Sequence, residues 1–213
     1  MWHALAVYFK HFKISVMKKI FVHLIVAIIV LVATPAHAQS KPGSTAGLYL
    51  SSTDFRDQKL TYQIDCNSNG DKIRTNEFLG SSSGYVLVNG QKHVFDKNKV
   101  YGYRSCRNKS YRFYKGEAYE LLDTAGFYIY YLYRPEVVNK GKGLVKTDEY
   151  FFSIHSDSGL KPLTIVELKN AFPTNQNFHY ALDSYFRSDK ELIAYDSFKK
   201  EYKVKHLFNQ SIN

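Results

Sequence analysis

Phe127-Tyr128-Ile129-Tyr130-Tyr131-Leu132-Tyr133 is apolar or aromatic on both alternate faces. A short run with no polar side reads as a central β-strand covered above and below. The segments upstream are of the half-buried kind. Gly47-Leu48-Tyr49-Leu50, Leu60 to Cys66, Val100 to Cys106, Lys109 to Tyr114 and Ala118 to Leu122 alternate with period two between short turns. Tyr85-Val86-Leu87-Val88 and Gln91 to Phe95 flank Asn89-Gly90. Both turn positions of a tight hairpin favour positive φ, which Asn and Gly tolerate, so this pair predicts a two-residue turn. Downstream, Asn139 to Gly143 is a basic, glycine-containing loop, and Tyr150 to His155 resumes the strand pattern. Short strands joined by tight turns predict an antiparallel meander.

After Ser156-Asp157-Ser158-Gly159 the period changes to that of helices. Thr164-Ile165-Val166-Glu167 has the spacing of a capping box, and Pro173 should stop the helix near Phe172. Phe178, Leu182 and Tyr185 recur at helical spacing and predict a second helix. Ser188-Asp189-Lys190-Glu191 is another capping-box pattern, and Leu192, Tyr195, Phe198 and Tyr202 predict a third apolar stripe behind it. Strands first and helices after define an α+β fold, with about three C-terminal helices packed on an antiparallel sheet that fills the N-terminal two-thirds. No linker separates the two parts, so residues 46–213 read as a single domain.

The N-terminus reads differently. Met17-Lys18-Lys19 precedes Ile20 to Ala33, an uncharged and mostly apolar run, followed by Pro35 and Ala36-His37-Ala38. A basic start, a short apolar core and small residues before a cut describe a secretory signal peptide. Residues 1–38 are therefore expected to be removed before Gln39, with 39–45 a flexible leader. The apolar run is shorter than the ~20 residues needed to span hydrocarbon, so no transmembrane anchor is expected in the mature chain. Met1 to Val16 precedes a complete signal, which makes Met17 the expected true start. The whole chain carries 29 basic and 19 acidic residues. Removing Lys10, Lys13, Lys18 and Lys19 leaves 29 − 4 = 25 basic against 19 acidic residues, a net of +6. These charges are interspersed without a polybasic run, so a nucleic-acid partner is not expected.

Cys66 and Cys106 are the two cysteines. An exported chain meets an oxidising compartment, so the pair is expected as a disulfide rather than as two free thiols. Leu60, Tyr62, Ile64 and Cys66 are expected to share one strand face.

Candidate chemistry is sparse, and no cofactor fingerprint is present. Asp65-Cys66-Asn67-Ser68-Asn69-Gly70-Asp71 resembles the front of a calcium loop. Counting from Asp65, the twelfth residue is Asn76, and the acid comes one later at Glu77. The plainer reading is a polar hairpin turn using Asn69-Gly70. Ser153, His155 and Asp157 are neighbours in sequence, but a catalytic triad needs convergence in space rather than in sequence. His93, His155, His179 and His206 show no metal-ligand spacing. Tyr101, Tyr103, Tyr111, Tyr114, Tyr128 and Tyr130 fall on expected strands. They either fill a β core or form an exposed face able to stack on sugars or grip a partner.

The chain resembles uncharacterised exported proteins common in Bacteroidetes genomes. The resemblance rests on Ala46-Gly-Leu-Tyr-Leu50, the Lys59 to Cys66 segment, Tyr101-Gly-Tyr-Arg104 with Tyr111-Arg-Phe-Tyr114, and Leu163 to Phe208. It implies export and carries over no site residue. The expected function is a non-enzymatic module binding a ligand or protein partner at the cell envelope. The alternatives are a hydrolase of an envelope polymer and a purely structural envelope protein.

Overall fold

Thirteen strands and four short α-helices make up the described residues, which are 45–76, 81–137 and 144–212 of a computed structural model. Side chains at 134–137 and 144–147 are outside that description. So are residues 1–38, expected as a signal peptide, most of the expected leader 39–45, Glu77, and the expected loop at 139–143. All described residues belong to one compact unit, Lys41–Asn213.

The α+β class is as expected, but the strands are shared among three sheets. The large sheet has eight strands: β1 (Thr45–Tyr49), β2 (Thr61–Asp65), β6 (Gly102–Arg104), β7 (Ser110–Tyr114), β8 (Glu117–Asp123), β9 (Tyr128–Val137), β10 (Leu144–Ser153) and β11 (Lys161–Pro162). Their spatial order is β11-β10-β9-β8-β7-β6-β1-β2. The meander is therefore true of β6 to β11, and β1 joins it by pairing with β6. The intervening β3 (Lys72–Arg74), β4 (Ser83–Val88) and β5 (Gln91–Asp96) form a separate three-stranded sheet. Asn89 (φ 50°) and Gly90 (φ 79°) make the expected turn between β4 and β5, with Val88 opposite Gln91.

One face of the large sheet carries two separate covers. Over β1, β2, β6 and β7 lies the small sheet, where Ala46, Leu48, Ile64, Tyr103 and Phe113 pack against Val86 and Phe95. Over β9 and β10 lie the C-terminal helices, where Phe127, Ile129 and Phe152 pack against Leu168, Phe178, Leu182, Val204 and Phe208. The opposite face is covered by α1 (Ser52–Arg56), whose Phe55 sits among Tyr49, Leu60, Tyr101 and Tyr128, and by Leu160 beside Tyr119, Tyr130 and Leu132.

Helices α2 (Ile165–Ala171) and α3 (Gln176–Tyr185) match expectation. Thr164 Oγ1 accepts the Glu167 N–H at 3.1 Å, the first half of the capping box. The other half is replaced: Thr164 N–H donates to Pro162 O, and Glu167 pairs with Lys161. The third helix is a correction. Asp189–Ile193 is a single 3-10 stretch, and the residues after it form a hairpin of β12 (Tyr195–Asp196) and β13 (Glu201–Tyr202). The final helix, α4 (Lys203–Ser211), begins only there. The Asp196 carboxylate accepts the N–H groups of Phe198 and Lys199, a local turn that competes with helix. The Ser188 side chain makes no capping bond, and Glu191 accepts from Arg187 N–H rather than from Ser188 N–H. Leu192, Tyr195, Phe198 and Tyr202 thus share helical spacing by coincidence. Phe198 is 94% exposed at the hairpin tip.

In strand β2 the expected shared face holds for Tyr62, Ile64 and Cys66, which all turn toward the small sheet, and fails for Leu60. Register shifts between Ala46 and Leu48, and Tyr62 has φ 49°. This bulge resets the alternation. Leu60 then packs in the α1 cluster, Ile64 in the small-sheet cluster, and Tyr62 stacks on His93 at 4.5 Å. Gly47 makes room for it, since a Cβ there would lie 3.0 Å from Thr61 O.

Candidate functional site

Among the described residues, the small sheet and the helices cover the two ends of one face of the large sheet, and the register decides what stands between them. Tyr103 lies opposite Tyr111, Tyr111 opposite Glu120, Glu120 opposite Tyr131, and Tyr131 opposite Tyr150. Directly opposed residues project to the same side. Five adjacent strands therefore carry one straight row, Tyr103-Tyr111-Glu120-Tyr131-Tyr150, with a single carboxylate at its centre. Tyr103 and Tyr111 stack with ring centroids 4.6 Å apart, and Tyr131 and Tyr150 lie 5.5 Å apart. Tyr103 is buried under the small sheet, while Tyr111, Glu120, Tyr131 and Tyr150 are half-buried.

A cavity of about 350 Å³ opens at the Tyr150 end of the row. Its far wall is the β12–β13 hairpin, where Tyr195 and Tyr202 meet edge to face at 5.2 Å. Tyr195 is 54% exposed. The polar groups of the groove are held in place. Glu120 Oε1 pairs with Lys109 Nζ at 2.7 Å, and the Tyr111 hydroxyl reaches Glu120 Oε2 at 3.5 Å. The Tyr131 hydroxyl donates to Asp148 Oδ1 at 2.6 Å, on the cavity wall. Burial raises the Tyr202 pKa, and the negative charge of Asp123 adds to the effect. That phenol is therefore protonated across the physiological range and available as a donor.

The tyrosines singled out by strand pattern divide between the faces. Tyr103 and Tyr111 belong to the row. Tyr101, Tyr114 and Tyr130 surround Arg112 on the opposite face, with its guanidinium 5.3–5.8 Å from their ring centroids. Tyr128 lies on that face too, 6.3 Å from Tyr130. The stretch 127–133 is not covered along its whole length. Ile129 and Tyr130 are fully buried, but Tyr133 is 54% exposed because neither cover reaches it. Glu120, Tyr131, Tyr150, Tyr195 and Tyr202 were not picked out as site residues. The signal for the first three was an aromatic or acid at the same parity on consecutive strands, which becomes visible only once the strands are in register.

Cys66 and Cys106 are joined, with Cα atoms 5.5 Å apart. They follow β2 and β6, the two neighbours of β1, so the bond spans β1 and closes the loop that holds the small sheet. Cys66 packs at the margin of the small-sheet core, and Cys106 is exposed.

The remaining candidates do not assemble. Ser153 Oγ donates to His155 O at 2.8 Å and lies 3.3 Å from the Tyr130 hydroxyl, while His155 and Asp157 are exposed on the following loop. Asp65 Oδ1 accepts from Asn67, Gly70 N–H donates to Ser68, and Asp71 accepts the Asn89 N–H. That segment is a self-bonded turn, and Glu77 lies outside the described residues. Among the described residues no three His, Cys, Asp or Glu side chains group as metal ligands would. His179 bonds Phe172 O, and His206 sits between Glu201 and Lys199. No helix among the described residues is long and apolar enough to cross a membrane.

Comparison with known proteins adds no assignment: no family model, curated protein or solved structure matches the chain.

Proposed function

We propose that this protein is an exported, non-enzymatic module that binds a glycan of the cell envelope along the tyrosine row. The observation that carries the reading is the aligned, half-buried set Tyr111-Glu120-Tyr131-Tyr150 running between the two covers and ending in a tyrosine-walled cavity. Ring faces stack on the apolar faces of sugars, and carboxylates beside them accept sugar hydroxyls. With strands about 4.8 Å apart, Tyr111 to Tyr150 spans roughly 14 Å, the scale of a short oligosaccharide. Export is supported by the signal-like pattern of residues 1–38 and by the disulfide, which favours an oxidising compartment.

A hydrolase of an envelope polymer is the second reading, favoured by one observation: Glu120 and Asp148 stand on the same face of the groove. Each carboxylate is already engaged, by Lys109 and Tyr111 in one case and Tyr131 in the other. A glycan array with protein recovered from its native host tests the first reading. Saturable binding that falls at least about tenfold in Tyr131→Ala or Tyr150→Ala is expected. Turnover of a model polymer that is lost in Glu120→Gln, without array binding, would replace it with the second. N-terminal sequencing of the same material is expected to begin at Gln39.

A further inference from the structure

A second cavity, of about 340 Å³, lies where the turn after β5 of the small sheet meets the end of β7, between Phe113 of the small-sheet core and Tyr101 and Arg112 of the opposite face, and no residue of the tyrosine row lines it. Its lining is cationic. Lys97, Lys99, Arg112 and Lys115 contribute to it, and Asp157 is the one acid among the described lining residues. Two of the four cations are buried, Lys97 at 2% exposure and Arg112 at 6%. The other two, Lys99 and Lys115, stand exposed around them.

Burial of this kind needs a counter-charge. A charged side chain taken out of water without a partner is strongly disfavoured, and folded chains normally supply a carboxylate. Here none is within ion-pair distance of either buried cation among the described residues. Arg112 is partly compensated: one Nη donates to Ser158 O at 2.8 Å, another reaches the Tyr130 hydroxyl at 3.5 Å, and three tyrosine rings surround the guanidinium. Those partners are neutral, so the positive charge itself is unmatched. Lys97 is compensated even less. Its backbone N–H bonds Ser82 O, and its ammonium, which makes no hydrogen bond or ion pair among the described residues, keeps contact with solvent only.

The arrangement is not explained by core packing alone. An arginine boxed by tyrosines occurs as a purely structural feature. A second largely buried cation lining the same cavity, from a different element, adds positive charge that packing does not require. Lys97 is in the turn after β5 and Arg112 is on β7, so the large sheet and the small sheet each bring one charge to the same space. An anion placed between them would relieve both.

We infer that the cavity between Lys97 and Arg112 is a binding site for a small oxyanion, a carboxylate or phosphate group, free or at the end of a larger ligand. Arg112 offers the planar fork that suits such groups, and Lys97 supplies a compact charge. Lys99 and Lys115 raise the local anion concentration at the mouth.

The test is calorimetric titration and thermal unfolding of the full chain with inorganic phosphate, citrate and glutarate, at ionic strength matched with chloride. Saturable binding of at least one oxyanion is expected, with phosphate against the two carboxylates separating the two chemistries. Lys97→Met keeps the aliphatic stem and removes the charge. It is expected to lose at least tenfold in affinity and to melt no lower than the parent in the absence of ligand. Should that variant not fold, Lys99→Ala/Lys115→Ala changes only exposed positions, and is expected to weaken binding at low salt. Absence of saturable binding by any of the three anions overturns the inference. So does unchanged affinity in whichever of these variants is folded. Binding of glycans by the tyrosine row is read separately, because Tyr131 and Tyr150 do not line this cavity.

Discussion

At the scale of single residues, the fold depends on a few positions where a side chain meets something it cannot move. Gly102 on β6 is one. A Cβ there would lie 2.0 Å from Tyr111 O on the neighbouring strand. That oxygen belongs to a backbone that positions the tyrosine row, so it cannot yield without separating β6 from β7. Gly102→Ala is expected to cost about 3 kcal/mol or more in urea unfolding, and to weaken glycan binding with it. Lys205 is another. Its side chain is fully buried, with Nζ donating to Ala125 O at 2.7 Å, 3.9 Å from the Phe127 ring centroid and 3.5 Å from Asp123. Burial pulls its pKa down to about 8, against the opposing pull of Asp123. Below that pH the lysine is charged in both folded and unfolded states, and the folded state bears the full desolvation cost. Above it the folded lysine is neutral while the unfolded one still holds a proton, so stability rises with pH up to the unfolded value near 10.5. Unfolding free energies of the parent relative to Lys205→Met should therefore climb by roughly 3 kcal/mol between pH 8 and 10.5. A flat difference across that range would show that Lys205 is not desolvated.

Elements were recognised where their signals are local. The Asn89-Gly90 turn, the Thr164 cap and the stop before Pro173 each depend on a few adjacent residues, and each is found in place. Thr164→Ala is expected to destabilise by about 1 kcal/mol, because one N–H of the first turn of α2 loses its acceptor. Helix α1 was missed, although Ser51 and Asp54 make a complete reciprocal cap. It is five residues long, too short to show helical periodicity. The hairpin at 195–202 was read as helix because four apolar residues happened to fall three or four apart. Spacing does not say which of them are buried. Phe198→Ala separates the two readings: on a helix stripe it would cost about 3–5 kcal/mol, whereas at the exposed hairpin tip a change within about 0.5 kcal/mol is expected. The disulfide belongs to this scale as well, since it ties β2 and β6 across β1. In the chain-entropy model, closing a separation of 40 residues stabilises by about 4 kcal/mol, and a Cys66→Ala/Cys106→Ala variant should lose about that much.

For the whole molecule, the large sheet works as a partition. One side bears the tyrosine row in the gap between the small sheet and the helices. The other bears Arg112, whose cavity Lys97 reaches from the turn after β5 at the rim of the small sheet. The two sites share strand β7, where Tyr111 points one way and Arg112 the other. Neighbours in sequence thus serve opposite faces, as period two requires. Tyr131→Ala should abolish most glycan binding while leaving oxyanion affinity within about twofold, since sites without shared partners vary independently. Lys97→Met should do the reverse. Loss of both functions in either variant would mean that the sheet does not insulate its faces.

What the amino-acid order determined unaided is local. Alternation marked the strands, turn chemistry placed a hairpin, capping residues began a helix, and two cysteines in an export-like chain implied their bond. These depend on interactions within a few residues, or on there being only one available partner. Which strands lie side by side was left to the tertiary structure, and with it the row from Tyr103 to Tyr150, the two covers that flank it, and the meeting of Lys97 with Arg112 on one cavity. The reason is combinatorial. Period two tells a residue's side but not its neighbour, and a bulge at Tyr62 or Leu122 resets even the side. Register is settled only when the core packs, because then every misplaced strand exposes its apolar face.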